Sequence, residues 1–248
     1  MLPIFHLGSL SLQTPALILL IGLWFSLSFT ETFLRKNNIP FNHTQDIIFY
    51  GLIAAILGAR LFYVFSYPQI FFASPQNIIS LNPNLLDWWG GIIGFFLVFF
   101  ILTKRHQLKP SATLDSLSVF ASLFIIFGSL ADLAAAKTIG LPTTLPWGIY
   151  YLGQSRHPVQ IYQIIFFSWI AISLQKNFLN NYNQFVGKTT LTFIFMIATT
   201  QLVLCGFSVN TSSSLYGLRL DQSFYFIIGL ISLIILLNHP KHSMENHG

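Results

Sequence analysis

Seven apolar runs divide this chain, at about residues 15–34, 46–66, 89–103, 113–135, 158–175, 189–209 and 222–238. A helix needs about 20 predominantly apolar residues to cross a bilayer, and seven such runs in 248 residues leave little chain for anything else. A water-soluble core could not hide this much apolar surface: 54% of residues are hydrophobic and only 8% charged, against roughly a quarter charged in soluble domains. The pattern predicts an all-α integral membrane protein of about seven transmembrane helices with a small outer-face region. It is read as a single polytopic membrane domain over residues 1–248.

The charge balance is explained by the same runs. The net charge is +5, but the basic residues sit in short loops between apolar segments. That distribution orients a membrane protein and argues against a nucleic-acid partner. Arg35, Lys36, Lys104, Arg105, Lys109, Lys176, Lys188 and Lys241 fall on one side, and Lys137, Arg156 and Arg219 on the other. The bias places the N-terminus outside and the C-terminus in the cytoplasm. The first run is expected to be a permanent helix, since no basic segment precedes it and no A-x-A-like cleavage site follows. Two outer loops are long, at about 67–88 and 136–157, and the tail 239–248 is polar. Cys205 is the single cysteine, which excludes an internal disulfide or a cysteine-built metal site; it is read as a small buried hydrophobe. His239, His242 and His247 in the tail are read as solvent-facing, so neither a metal nor a cofactor is expected.

A few polar residues inside or beside the spans could carry chemistry. Arg60 lies within the second run, where a charge costs about 2.5–3.5 kcal/mol on insertion scales. It either binds a phosphate bidentately or snorkels from the outer end of its helix. Gly90, Gly91 and Gly94 follow two tryptophans. They let backbone approach either a lipid headgroup or a neighbouring helix, as small residues commonly do in membranes. The segment Arg156-His157-Pro158-Val159-Gln160-Ile161-Tyr162 opens the fifth run, with Pro158 suited to a first helical turn. His157 there could carry a proton or bind a headgroup, or belong with Gln160 and Tyr162 to an interfacial cap. Asp132, near the outer end of the fourth run, needs a cationic partner, and Arg60, Lys137 and Arg156 are at that depth. A supporting salt bridge and a catalytic base are both open to it.

Taken in order, these pieces resemble the prolipoprotein diacylglyceryl transferase family. The resemblance begins at Ile4-Phe5-His6-Leu7-Gly8 and continues through Gly58-Ala59-Arg60, Gly90-Gly91-Ile92-Ile93-Gly94 and Leu145-Pro146-Trp147-Gly148. It is best at Arg156-His157-Pro158-x-Gln160-x-Tyr162. It implies seven spans in a bacterial cytoplasmic (inner) membrane. It also implies transfer of a diacylglyceryl group from phosphatidylglycerol to the lipobox cysteine thiol of a prolipoprotein, with no cofactor. His157, Lys137 and Asp132 would then be catalytic, and Arg60, Gly90, Gly91, Gly94, Arg156, Gln160 and Tyr162 would bind lipid.

The chain departs from the family pattern at several positions. In the signature stretch, Ser129 stands in place of an arginine, Asp132 and Ala135 in place of asparagines, and Lys137 in place of a glutamate. Trp89 replaces a histidine, Gln163 a glutamate and Pro15 a tyrosine, and no arginine lies near Phe207-Ser208. Two other readings therefore stand beside transfer: a silent relative that binds phospholipid or prolipoprotein, and a small membrane transporter.

Overall fold

The computed structural model describes residues 4–7, 10–36, 41–73, 87–181, 186–209, 214–215 and 218–238. Most of outer loop 67–88 and the whole tail 239–248 lie outside them. The described residues form two compact units, one of Met1–Asn37 with Leu114–Gly248 and one of Asn38–Thr113.

The first unit contains the short antiparallel pair β1 (Ile4–Leu7) and β2 (Leu10–Gln13), then α1 (Thr14–Lys36). After these come α5 (Pro110–Ala135, shared with the other unit at its start), the hairpin β3 (Ile149–Tyr151) and β4 (Gln154–Arg156), α6 (Val159–Asn181) and α7 (Lys188–Cys205). The two-residue strands β5 (Ser214–Leu215) and β6 (Leu218–Arg219) precede α8 (Leu220–Asn238). The second unit contains α2 (Asn42–Ser66), the short α3 (Pro68–Ala73) and α4 (Trp88–Arg105).

Among the described residues, six helices (α1, α2, α4, α5, α7 and α8) are long and apolar enough to cross a membrane. The seventh expected span, α6, is also long at 23 residues, but Gln160, Gln163, Gln175, Lys176 and Asn177 make it less apolar. The protein is an all-α multi-pass membrane protein. Many of its large apolar side chains face outward, among them Trp24 at 69% and Phe65 at 79% exposure, as expected where lipid is the solvent. In lipid each backbone group must be satisfied within the protein, and several polar side chains inside the helices meet the same demand. The hydroxyls of Thr103, Ser118, Ser129, Ser168 and Thr199 each donate to a carbonyl four residues back, on Phe99, Leu114, Ile125, Ile164 and Phe195.

Within the first unit, α1 approaches α5 at Gly22, where any Cβ would occupy the space of the Phe127 side chain. Phe25 packs on Phe127 and Phe33 on Phe178 of α6. The start of α7 is held by a residue far away in sequence. Asp115, buried near the start of α5, accepts from the Gly187 and Thr190 backbone N–H groups at 2.6 and 2.8 Å and from the Thr190 hydroxyl at 2.8 Å. The carboxylate thus satisfies orphan donors at the positive end of α7. Asp115→Ala would strand three donors, and we expect it to lower stability by about 1–3 kcal/mol. Thermal unfolding in detergent measures this, and an unchanged midpoint would show the contact to be idle.

In the second unit, α2 and α4 run antiparallel, with Gly58 and Ala59 against Gly90 and Asp87 at one end and His43 against His106 at the other. A Cβ on Gly58, Gly90 or Gly94 would collide with backbone carbonyl of the facing helix: Gly90, Gly58 and Ala54 respectively. Asp87 begins α4, its side chain accepting from the Trp89 N–H at 2.8 Å.

Candidate active site

At one end of the first unit the chain builds a small platform from residues that share no local sequence pattern. The segment after α5 runs between the end of α7 and the chain entering α6. The Val209 N–H donates to the Ile139 carbonyl and the Leu141 N–H to the Phe207 carbonyl. On the opposite side the Thr143 N–H donates to the Ser155 carbonyl and the His157 N–H to the Leu141 carbonyl. Isolated bridges join Gly140 to Ser208 and Pro142 to Arg156. Gly140 has no room for a side chain, since a Cβ there would meet the His157 carbonyl. The β3–β4 hairpin completes the platform. Its turn residues Leu152 and Gly153 both have positive φ (51° and 78°), the type I′ geometry that suits the twist of a two-residue hairpin.

The platform sets the side chains expected from the sequence. Arg156 spends its guanidinium on main chain, donating through Nε to the Tyr151 carbonyl and through Nη1 to the Gly140 carbonyl at 3.2 and 3.0 Å. Gln160, 2% exposed, donates through Nε2 to the Thr138 carbonyl at 2.7 Å. Both act as clamps on the wall. His157 stands differently. Its Nδ1 lies 3.2 Å from Tyr162 Oη, and Trp147 Nε1–H donates to the same oxygen at 2.9 Å. Phe207 packs against both rings, with its centroid 5.1 Å from that of His157. His157, Arg156 and Gln160 line one small pocket together with Thr138, Ile139 and Tyr151.

Thr138 and Ile139 also border a larger cavity of about 480 Å³. It is framed by the end of α5, the start of α6, the end of α7 and the start of α8. Its polar wall comprises Lys137, Gln163, Gln201, Cys205, Asp221 and Tyr225. Cys205 and Asp221 share this wall, and Asp221 pairs with Arg219 at 3.2 Å.

Lys137 and Asp132 are brought together by the way α5 stops. Ala136 adopts φ 53°. The Ala136 N–H donates to the Leu133 carbonyl and the Lys137 N–H to the Asp132 carbonyl, the Schellman pattern of a helix C-terminus. The Lys137 ammonium then stands 3.9 Å from the Asp132 carboxylate, with the two side chains 75% and 41% exposed. Lys137, one of the three cations expected near Asp132, is within ion-pair distance of it.

Arg60, Gly90, Gly91 and Gly94 belong to the other unit. Arg60 is 7% exposed, and its guanidinium lies over the Phe71 ring at 5.2 Å from the centroid, a cation–π geometry. Gly90 and Gly94 form the seam between α2 and α4. Gly91 makes only ordinary contacts there, a Cβ lying 3.4 Å from the Ala55 carbonyl.

Sequence reasoning missed Gln201, Asp221 and Tyr225 as cavity residues, and read Cys205 only as a small hydrophobe. The available signal was the isolated polar residue in an apolar run, which applies to Gln163, Gln201 and Asp221 alike.

The chain was compared with known proteins. A family model described as prolipoprotein diacylglyceryl transferase matches residues 3–238. A phosphatidylglycerol–prolipoprotein diacylglyceryl transferase of Campylobacter jejuni is 24% identical over 251 aligned residues, covering 94% of this chain and 91% of that protein. A protein of the same name from Wolbachia pipientis is 26% identical, covering 75% of this chain and 74% of its own. One from Bordetella parapertussis is 29% identical, covering 64% of each.

Proposed function

The chain belongs to the prolipoprotein diacylglyceryl transferase family, and from that premise we propose that it moves the diacylglyceryl group of phosphatidylglycerol onto the lipobox cysteine thiol of a prolipoprotein. The observation that supports this best is the cavity of about 480 Å³ beside the His157 platform. A polar wall of that size among lipid-facing helices suits a phospholipid headgroup with its acyl chains left in the bilayer.

In the reaction a C–O bond between the diacylglyceryl carbon and the phosphate breaks and a C–S bond forms. The thiol loses its proton, and glycerol phosphate leaves. The thiolate is the competent nucleophile, so a base near the thiol accelerates the step. We assign that role to His157 Nε2, in the tautomer whose Nδ1–H donates to Tyr162 Oη. Tyr162 and Trp147 are then positioning residues. Charge grows on the departing phosphate, and preorganised positive groups stabilise it; we assign this role to Lys137, which lines the cavity near Asp132, and to Arg219, which pairs with the cavity residue Asp221. Arg156 and Gln160 keep the wall in place. Arg60, Gly90, Gly91 and Gly94 serve lipid contact or helix packing in their own unit. The excess of basic residues in the opposite loops supports the reading that this end of the first unit faces the outer side of a bacterial cytoplasmic membrane, with the C-terminus inside.

One observation favours the second reading, a relative that binds lipid or prolipoprotein without transfer. Ser129, which stands where the family pattern has an arginine, is buried and tied to its own helix at Ile125. A single assay separates the two. Purified protein incubated with phosphatidylglycerol vesicles and a lipobox peptide is expected to add the diacylglyceryl mass to the peptide cysteine. Phospholipid retained through purification without any thioether would overturn transfer in favour of binding.

A further inference from the structure

In the second unit, the start of α2 and the end of α4 gather three side chains that the transfer reaction does not use. His43 and Asp46 stand three residues apart near the start of α2, the spacing that puts two side chains on one face of a helix. His106 is the residue at which α4 ends, its N–H bonded to the Leu102 and Lys104 carbonyls. One ligand-capable atom from each of the three lies within 4.8 Å of the others. The two helices that carry them run antiparallel, so the start of α2 lies against the end of α4.

We propose that His43, Asp46 and His106 form a binding site for a divalent first-row transition-metal ion, tying the start of α2 to the end of α4. Two imidazoles and a carboxylate are a donor set that zinc and its neighbours accept, with water filling the remaining positions. Bonds of about 2.0–2.2 Å at tetrahedral angles place ligand atoms roughly 3.3–3.6 Å apart, so the side chains draw in by at most about 1.5 Å. His43 and Asp46 are exposed and His106 half-buried, which leaves them free to do so. The two rings lie stacked, with centroids 4.1 Å apart and planes at 24°. Their lone pairs lie in those nearly parallel ring planes, and capture of an ion turns the rings until the lone pairs converge. Lys104 and Arg105 precede His106 but are exposed, so solvent screens their repulsion, and Asp46 offsets part of the ion's charge. Magnesium, which demands oxygen ligands, is excluded by the imidazoles.

The test uses the full-length protein, purified without an affinity tag and stripped with chelator. Titration with Zn²⁺ is expected to give one site per chain and to raise the thermal midpoint, while Mg²⁺ does neither. Co²⁺ is expected to give visible d–d absorption from nitrogen ligation. Losing even an outer hydrogen-bond partner of a ligand costs about 10–100-fold in metal affinity, so His106→Ala and, independently, His43→Ala should each weaken binding by at least that factor. The tail histidines are the rival ligands. A variant with His239, His242 and His247 all changed to alanine should keep the site. The proposal is overturned if no Zn²⁺ binds. It is equally overturned if binding survives both His43→Ala and His106→Ala, or if binding disappears with the tail histidines alone.

Discussion

Changing His157 to alanine is expected to lower kcat/KM for diacylglyceryl transfer by about 10²–10⁴-fold, the usual contribution of a positioned acid or base. The expectation rests on position. His157 is fixed through its own backbone N–H to Leu141, through Nδ1 to Tyr162 and by the Phe207 ring. His157→Gln supplies the control for folding, because a glutamine keeps a polar contact toward Tyr162 but cannot take up a proton. It should melt near the parent and be as inactive as the alanine variant. Tyr162→Phe removes the acceptor for both Trp147 and His157 while sparing the imidazole, so it should lose less activity. Added imidazole should restore part of the His157→Ala loss. Full activity in His157→Gln would remove the base from this position and move attention to the cavity wall at Lys137 and Asp221.

The second large effect concerns two adjacent glycines. Outside its context Gly→Ala in a helix gains about 1 kcal/mol from propensity. Gly91→Ala should realise much of that gain, because its new methyl meets only ordinary contacts at 3.4 and 3.6 Å. Gly90→Ala should behave in the opposite way. Its methyl would run into the Gly58 carbonyl and the Phe62 Cβ, and relief requires the whole α2–α4 seam to open. Overpacking of this kind costs roughly 1–3 kcal/mol, and here the obstacle is backbone, which cannot swing aside. Detergent melts of the two variants in parallel decide the matter. Equal midpoints would mean that α2 and α4 do not meet at Gly90.

The helices were legible because lipid imposes a demand that a single sequence records directly: long apolar stretches ended by charge or proline. The expected run 89–103 became α4 at Trp88–Arg105 and 222–238 became α8 at Leu220–Asn238. The run at 158–175 fell short of α6, which extends to Asn181, because a helix can continue past the apolar stretch into polar residues at the interface. The outer segment 136–157 was legible only as a loop. Much of its order comes from pairing with Phe207–Val209, Leu141 with Phe207 and Ile139 with Val209, and nothing in either segment names the other. The grouping of Arg156, His157, Gln160 and Tyr162 could be read from helical spacing near Pro158, whereas their partners Thr138, Gly140 and Trp147 could not. The cavity wall was hidden for a similar reason. Gln201, Cys205 and Asp221 are single polar letters in apolar runs, and their convergence depends on which helix ends meet.

The contact between Asp115 and the start of α7 has a consequence for biogenesis. Asp115 is synthesised 72 residues before Gly187, so α5 is threaded into the bilayer while the amides that will hold its carboxylate are still inside the ribosome. Until α6 has turned back and α7 has followed, the carboxylate can only be solvated at the membrane face. The bond therefore acts as a late latch on a bundle whose members are already inserted. An Asp115 variant should thus reach the membrane with normal topology and fail afterwards, as a chain whose last two helices stay open to membrane-embedded quality-control proteases.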